Sequence, residues 1–222
     1  MQDDSGRRPD GAVAALERDP ASRKRFLKMA GGSAMAGALA SALSSCGSGS
    51  EAGGAASGGS RQSSAKGDLD VVNLALTLEY LEADFYTRVL EAGIFSGGDA
   101  DLIEMIRDNE REHVAALRTM ADKLGGPVAP RPTANFPLRN RSSVLVLAAE
   151  LENTGAAAYL GQVDRIVSQE VLVAALSIHT VEGRHAAVLS RMAGGSFSPE
   201  GFLASPITKT EALRRVQPFI VG

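Results

Sequence analysis

Glu110-Arg111-Glu112-His113 and Glu182-Gly183-Arg184-His185 stand 72 residues apart and use two of the three histidines of this 222-residue chain. On an α-helix, residues three apart project from one face, so each Glu-x-x-His can aim a carboxylate and an imidazole at one ion. Two such helices offer two nitrogens and two carboxylates to a pair of ions. The spacing therefore predicts a two-metal site that needs further carboxylates from other helices.

The chain repeats, and the repeat supplies those carboxylates. Leu78-Glu79 with Tyr86 is answered by Leu151-Glu152 with Tyr159 after a step of 73 residues. In both copies the Tyr follows the Glu by seven residues, two helical turns along the same face. The sequence thus reads as two helical hairpins in tandem, each contributing one Glu and then one Glu-x-x-His.

Periodicity tests each assignment, because a ligand inside a bundle must lie on the apolar stripe of its helix. Glu79 shares its face with Val72, Ala75, Leu76, Ala83 and Tyr86. Glu110 has Ile103, Ile106, Val114 and Leu117 beside it, with Arg107 the exception; Glu182 has Ala175, Ile178, Ala186 and Leu189, with His179 the exception. On the third helix Glu152 keeps company with Leu145, Ala148, Ala149, Ala156 and Tyr159, whereas the face of Glu150 carries Ser143, Asn153 and Thr154. Glu152 is therefore preferred. The six predicted metal ligands are Glu79, Glu110, His113, Glu152, Glu182 and His185, with Tyr86 and Tyr159 placed to hydrogen-bond ligating carboxylates.

Electrostatics favours the same reading. Four carboxylates in a low-dielectric interior would each cost several kcal/mol of desolvation unless protonated or neutralised. Two divalent cations cancel four negative charges, and neutral imidazoles add none. Other polar residues are weaker candidates. Glu82 follows Glu79 by three residues, but its repeat counterpart is Gly155, so symmetry gives it no support. Glu112 corresponds to Arg184, a change of sign that suits a solvent-facing position. His179 corresponds to Arg107 and is expected beside the site or partly exposed, not as a ligand.

The first 67 residues differ in composition. Ser22-Arg23-Lys24-Arg25-Phe26-Leu27-Lys28 opens a basic segment, followed by a 15-residue weakly apolar run over 29–43. That run is too short and too rich in Gly and Ala for a membrane-spanning helix of about 20 residues, so it reads as an export signal. The basic segment resembles a twin-arginine signal, with Lys24 in place of the second arginine, which leaves the general secretion route open. Leu43-Ser44-Ser45-Cys46 resembles the lipobox of bacterial lipoproteins, in which the cysteine is lipidated and begins the mature chain. Cys46 is the single cysteine, so no disulfide forms within the chain. The 21 small and polar residues of 47–67 read as a flexible tether with a root-mean-square reach of about 25 Å. Lipid at Cys46 would hold the domain at a membrane.

Removing residues 1–45 takes seven basic and five acidic side chains, leaving 16 Lys plus Arg against 21 Asp plus Glu, a net charge of −5. No basic stripe remains, so no nucleic-acid partner is expected. The 155 residues from Asp68 onward suffice for one domain with a sizeable core. Gly and Pro breakers place helices at about 70–91, 100–124, 142–167 and 170–192. Between the second and third lies a Pro-rich connection of 17 residues, long for a bundle. Beyond Gly194-Gly195, Thr208-Lys209-Thr210-Glu211 is a capping-box pattern opening a short helix, and Phe202, Phe219 and Ile220 are expected to dock on the bundle.

From Asp68 to Met192 the chain resembles the ferritin-like superfamily, specifically its exported bacterial branch related to desiccation-associated proteins. The pieces that carry the resemblance are Glu79-Tyr80-Leu81-Glu82, Glu110 with His113, Leu151-Glu152 with Tyr159, and Glu182 with His185. It implies an all-α fold: an antiparallel four-helix bundle with a long crossover between helices two and three and a short C-terminal helix. The corresponding layout is an export signal over 1–45, lipid anchor and linker over 46–67, bundle over 68–193 and tail over 194–222. Carried over to this sequence, Glu110 and Glu182 would bridge two iron or manganese ions, with Glu79, His113, Glu152 and His185 as terminal ligands. The implied reaction partners are oxygen or peroxide. The alternative is a non-enzymatic envelope or stress protein in which bundle and metal are structural. A lipid tether fits a monomer or dimer at the outer face of a bacterial membrane better than a storage cage.

Overall fold

The computed structural model describes residues 57–221 of the chain. The predicted export signal, Cys46 and the tether up to residue 56 lie outside the described residues. Four long helices, α1 (Ser57–Glu91), α2 (Gly98–Leu124), α3 (Arg141–Leu160) and α4 (Gln169–Met192), are followed by a short α5 (Lys209–Val216). Among the described residues the only β feature is an isolated bridge between Ala134 and Ile220.

Helices α1 and α2 form one hairpin and α3 and α4 the other. Several helix ends have an identifiable cause. Gly125 closes α2 in the left-handed conformation at φ 73°, with its N–H donating to the Asp122 carbonyl, and Pro127 blocks continuation. Asn140 caps α3 in a reciprocal capping box with Ser143. Ser168 caps α4 through the Val171 N–H, while the buried Asp68 of α1 accepts from the backbone N–H of Val167 and Ser168 at 2.8 and 2.9 Å.

The connection between hairpins is the long crossover, and it is pinned along α1. Asn73 donates from Nδ2 to the Pro127 carbonyl and accepts from the Ala129 N–H. Farther on, Arg131 lies over the Tyr80 ring at 5.0 Å, and Phe136 meets Phe85 edge-on at 5.2 Å. The chain has then travelled from the beginning of α1 towards its end, so α3 starts there and runs antiparallel to α1. Arg141, the first residue of α3, pairs with Asp99 at the start of α2.

The apolar core is in two parts. One contains Val72, Leu76, Leu117, Met120, Tyr159, Val171 and Ile178. The other contains Phe85, Val89, Ile103, Ile106, Leu145, Leu189 and Val216. Along α2, the residues from Ile103 to Ile106 belong to one cluster and those from Val114 to Ala121 to the other, with Glu110 and His113 between them. Along α4, Ile178 and Leu189 similarly flank Glu182 and His185.

Three boundaries differ from the sequence expectation. Residues 57–67, expected as flexible tether, are the first turns of α1. Propagating a helix from an established nucleus costs far less than starting one, so even a polar stretch with glycines at 58, 59 and 67 can extend a long packed helix. Helix α3 stops at Leu160 rather than reaching 167, and a 3-10 turn over Val163–Arg165 leads to α4. The cause is tertiary: the tail crosses the helix end, where the Ile207 N–H donates to the Ala157 carbonyl, and a Cβ on Gly161 would stand 1.9 Å from the Ile207 carbonyl oxygen. Phe202 does not dock. It is 95 % exposed, in a segment over 194–206 that buries none of its side chains. Thr208 caps α5 as expected, Ala212 and Val216 enter the core, and Phe219 packs against Phe136 at 5.7 Å. The tail therefore gains its burial after residue 207 and leaves Phe202 in solvent. Ile220 packs against the core and pairs with Ala134.

Gly161→Ala is expected to destabilise the fold by about 1–3 kcal/mol, the range for inserting a methyl where there is no room. Thermal denaturation should show a lower midpoint; an unchanged or higher midpoint would mean that the tail does not bear on the end of α3.

Candidate metal centre

Each helix brings its site residues into the gap between the two apolar clusters. Glu79, Glu110, Glu152 and Glu182 are fully buried, and His113 and His185 are 6 % and 4 % exposed. The antiparallel pairing of α1 with α3 creates reciprocal contacts. The Tyr86 hydroxyl donates to Glu152 Oε1 at 2.5 Å and the Tyr159 hydroxyl donates to Glu79 Oε1 at 2.6 Å. Each tyrosine thereby orients the carboxylate from the other half of the repeat, leaving the second oxygen of that carboxylate to face the centre.

Two groups of donor atoms result. Glu79, Glu110, His113 and Glu182 form one, and Glu110, Glu152, Glu182 and His185 form the other; within each, one ligand atom per residue lies within 4.8 Å of all the others. Glu110 and Glu182 belong to both. His113 Nδ1 lies 3.1 Å from Glu79, 2.9 Å from Glu110 and 3.3 Å from Glu182. His185 Nδ1 lies 2.9 Å from Glu110 and 3.3 Å from Glu152. Both imidazoles therefore present Nδ1 inward. The structure brings together all six residues singled out in the sequence, with Tyr86 and Tyr159 against the two terminal carboxylates.

The fit to a metal rests on buried atoms whose hydrogen bonding is incomplete. Glu110 Oε1, Glu152 Oε2, both oxygens of Glu182 and His185 Nδ1 are buried and make no well-aligned hydrogen bond, although His185 Nδ1 lies 2.9 Å from Glu110 Oε1 and 3.3 Å from Glu152 Oε2, and His113 Nδ1 3.3 Å from Glu182 Oε1. Buried polar atoms are rarely left unpaired, because each costs about 1–3 kcal/mol. Convergent oxygen and imidazole donors are the chemistry that iron and manganese accept. These clusters could hold metal ions.

Proton occupancy in the metal-free protein follows from the same crowding. Burial, aided by the neighbouring Glu110, pushes Glu79 up to about 7 despite the opposing effect of His113. Burial and the surrounding carboxylates raise Glu182 well above the usual range. Burial would lower the imidazoles, but Glu152 and Glu110 outweigh it and carry His185 up to about 9, and Glu79 with Glu110 raises His113. For Glu110, burial is outweighed by His113 and His185, which hold its carboxyl well below the ordinary value. The phenols of Tyr86 and Tyr159 are raised by burial and by Glu152 and Glu79, so both keep their protons.

The remaining polar residues separate as their positions dictate. Glu150 and Arg184 are exposed and Glu112 is half-buried outside both clusters. His179 is half-buried, with Nδ1 3.0 Å from the Ala156 carbonyl. Asn109 was not foreseen: its side-chain amide lies 3.1 Å from His185 Nε2, on the far side of the ring from the carboxylates. Its repeat counterpart is Val181, so neither repeat nor periodicity marks it.

A helical bundle with a buried pair of Glu-x-x-His motifs is the arrangement of ferritin-like bundles. Residues 67–195 match the family model described as Ferritin-like domain, and the chain belongs to that family. No curated protein sequence matches the chain.

Glu79 and His185 both have raised values, so the metal-free folded protein holds protons that the unfolded chain releases. The stability these two groups contribute is full at low pH and is lost as pH rises from the unfolded to the folded value of each, 4.5 to about 7 for Glu79 and 6.5 to about 9 for His185, while Glu110, held low, works in the opposite sense at acid pH. Metal binding displaces those protons, so affinity should move the other way, rising over the same window. Melting curves and Mn²⁺ titrations at pH 6 and pH 9 check both signs; parallel trends would contradict this account.

Proposed function

We propose that the chain is a membrane-tethered two-metal carboxylate protein that carries out redox chemistry with oxygen or peroxide. The observation that supports this most directly is the pair of donor clusters sharing Glu110 and Glu182. Glu79 with His113 and Glu152 with His185 would be the terminal ligands, and Glu110 and Glu182 the bridges. Iron is the favoured occupant, with manganese compatible with the same donors. Two iron ions there would supply two electrons, the number that reduces one peroxide to water.

The chain's own residues determine the conditions for that chemistry. The four glutamates neutralise two divalent charges, Tyr86 and Tyr159 orient the terminal carboxylates, and Asn109 steadies His185. The apolar clusters above and below exclude water from the bundle axis. That sealing is also what favours the second reading, an envelope or stress protein of the desiccation-associated kind in which metal serves to hold the bundle together.

The full-length protein is expected to bind two metal ions per chain after reconstitution with Fe²⁺ or Mn²⁺, and His113→Ala or Glu182→Ala to lower that ratio, as measured by elemental analysis. A wild type that stays metal-free would defeat the two-metal reading. Fe²⁺ oxidation and peroxide consumption by the loaded protein separate the two roles, since a metal-loaded but inert protein would favour the structural one.

Export and attachment follow from the basic segment, the apolar run and Cys46. Among the described residues no helix is long and apolar enough to cross a membrane. In this proposal lipid at Cys46 provides the attachment. Cys46→Ser in a bacterial host should shift the protein from the membrane to the soluble fraction; unchanged membrane association would remove the lipid anchor from the proposal.

A further inference from the structure

Every predicted ligand has a mate one repeat away: Glu79 with Glu152, Glu110 with Glu182, His113 with His185. Glu82 has none, since Gly155 stands at its matching position. In sequence this mismatch counts against Glu82. In three dimensions Gly155 is what makes room for it. A Cβ built on Gly155 would lie 3.0 Å from Glu82 Oε1 and 2.9 Å from Glu182 Oε2, so both carboxylates reach into the recess left by the missing side chain.

We propose that Glu82, accommodated by Gly155, is a seventh protein donor to the metal centre and breaks the equivalence of its two ion positions. This rests on the two-metal reading above. Glu82 is 2 % exposed, and its Oε2 has no hydrogen-bond partner. It stands outside the two four-residue clusters, beside the shared Glu182, so it joins an ion by rotation of its own side chain. A fifth carboxylate at this depth costs several kcal/mol when no cation or proton accompanies it. A second glutamate at position 155 would restore symmetry but would have to occupy the space now holding Glu82 and Glu182. With Gly there, the extra donor is available from α1 alone. Asn109 adds a second inequality, since it touches His185 while its counterpart Val181 offers no polar atom to His113.

The test is Mn²⁺ binding to full-length protein, followed by calorimetry and by loss of the free-ion EPR signal. Wild type should take up two ions with separable affinities. Glu82→Gln keeps the shape but removes the anionic donor, and should weaken one of the two affinities by about tenfold or more while leaving the other nearly unchanged. Gly155→Ala fills the recess with Glu82 intact and, because the new methyl also meets the shared Glu182, should weaken Mn²⁺ binding at both positions. Circular dichroism confirms that each variant is folded. Two ions bound with wild-type affinities in Glu82→Gln would overturn this proposal and leave the two-metal reading standing. A wild type that binds no Mn²⁺ would overturn both.

Discussion

Carboxylates do not enter the middle of an apolar bundle without a reason, and the structure is organised around that cost. Glu79, Glu82, Glu110, Glu152 and Glu182 lie in one layer, nearly or completely cut off from solvent. Desolvation alone would exact several kcal/mol from each ionised group. The protein meets this with two imidazoles, two tyrosine hydroxyls and retained protons, yet several donor atoms remain without a well-aligned hydrogen bond. A layer left incomplete in this way is suited to cations, and its donor atoms are already gathered for them.

The rest of the fold keeps that layer in register. Apolar clusters on either side fix the height at which each helix contributes its ligands. The crossover, pinned at Asn73, Tyr80 and Phe85, sets α3 antiparallel to α1, and only that direction lets Tyr86 reach Glu152 while Tyr159 reaches Glu79. The tail contributes differently. Its residues from 207 onward extend one apolar cluster and shorten α3, without adding an atom to either donor group.

Internal symmetry is useful here because its breaches are as informative as its matches. Matched residues supply both donor groups, whereas Glu82 with Gly155 and Asn109 with Val181 distinguish the halves. A pair of ions in equivalent positions would have no use for such differences. A pair with separate tasks, or with separate affinities, would.

The sequence by itself determined the four helices and the six residues that meet between them, because helical periodicity and a repeat of 72 to 73 residues are properties of the chain order. It also distinguished Glu152 from Glu150, since an apolar stripe can be counted along one helix. What it could not determine were contacts between segments distant in sequence. The end of α3 depends on Ile207 passing over Gly161, and the approach of Asn109 to His185 depends on α2 facing α4. The solvent position of Phe202 depends on where the tail first finds a surface to bury. The same holds for Gly155, which as a letter argues against Glu82 and as a space admits it. Only the tertiary structure decided that, because the volume beside a glycine is set by what packs against it.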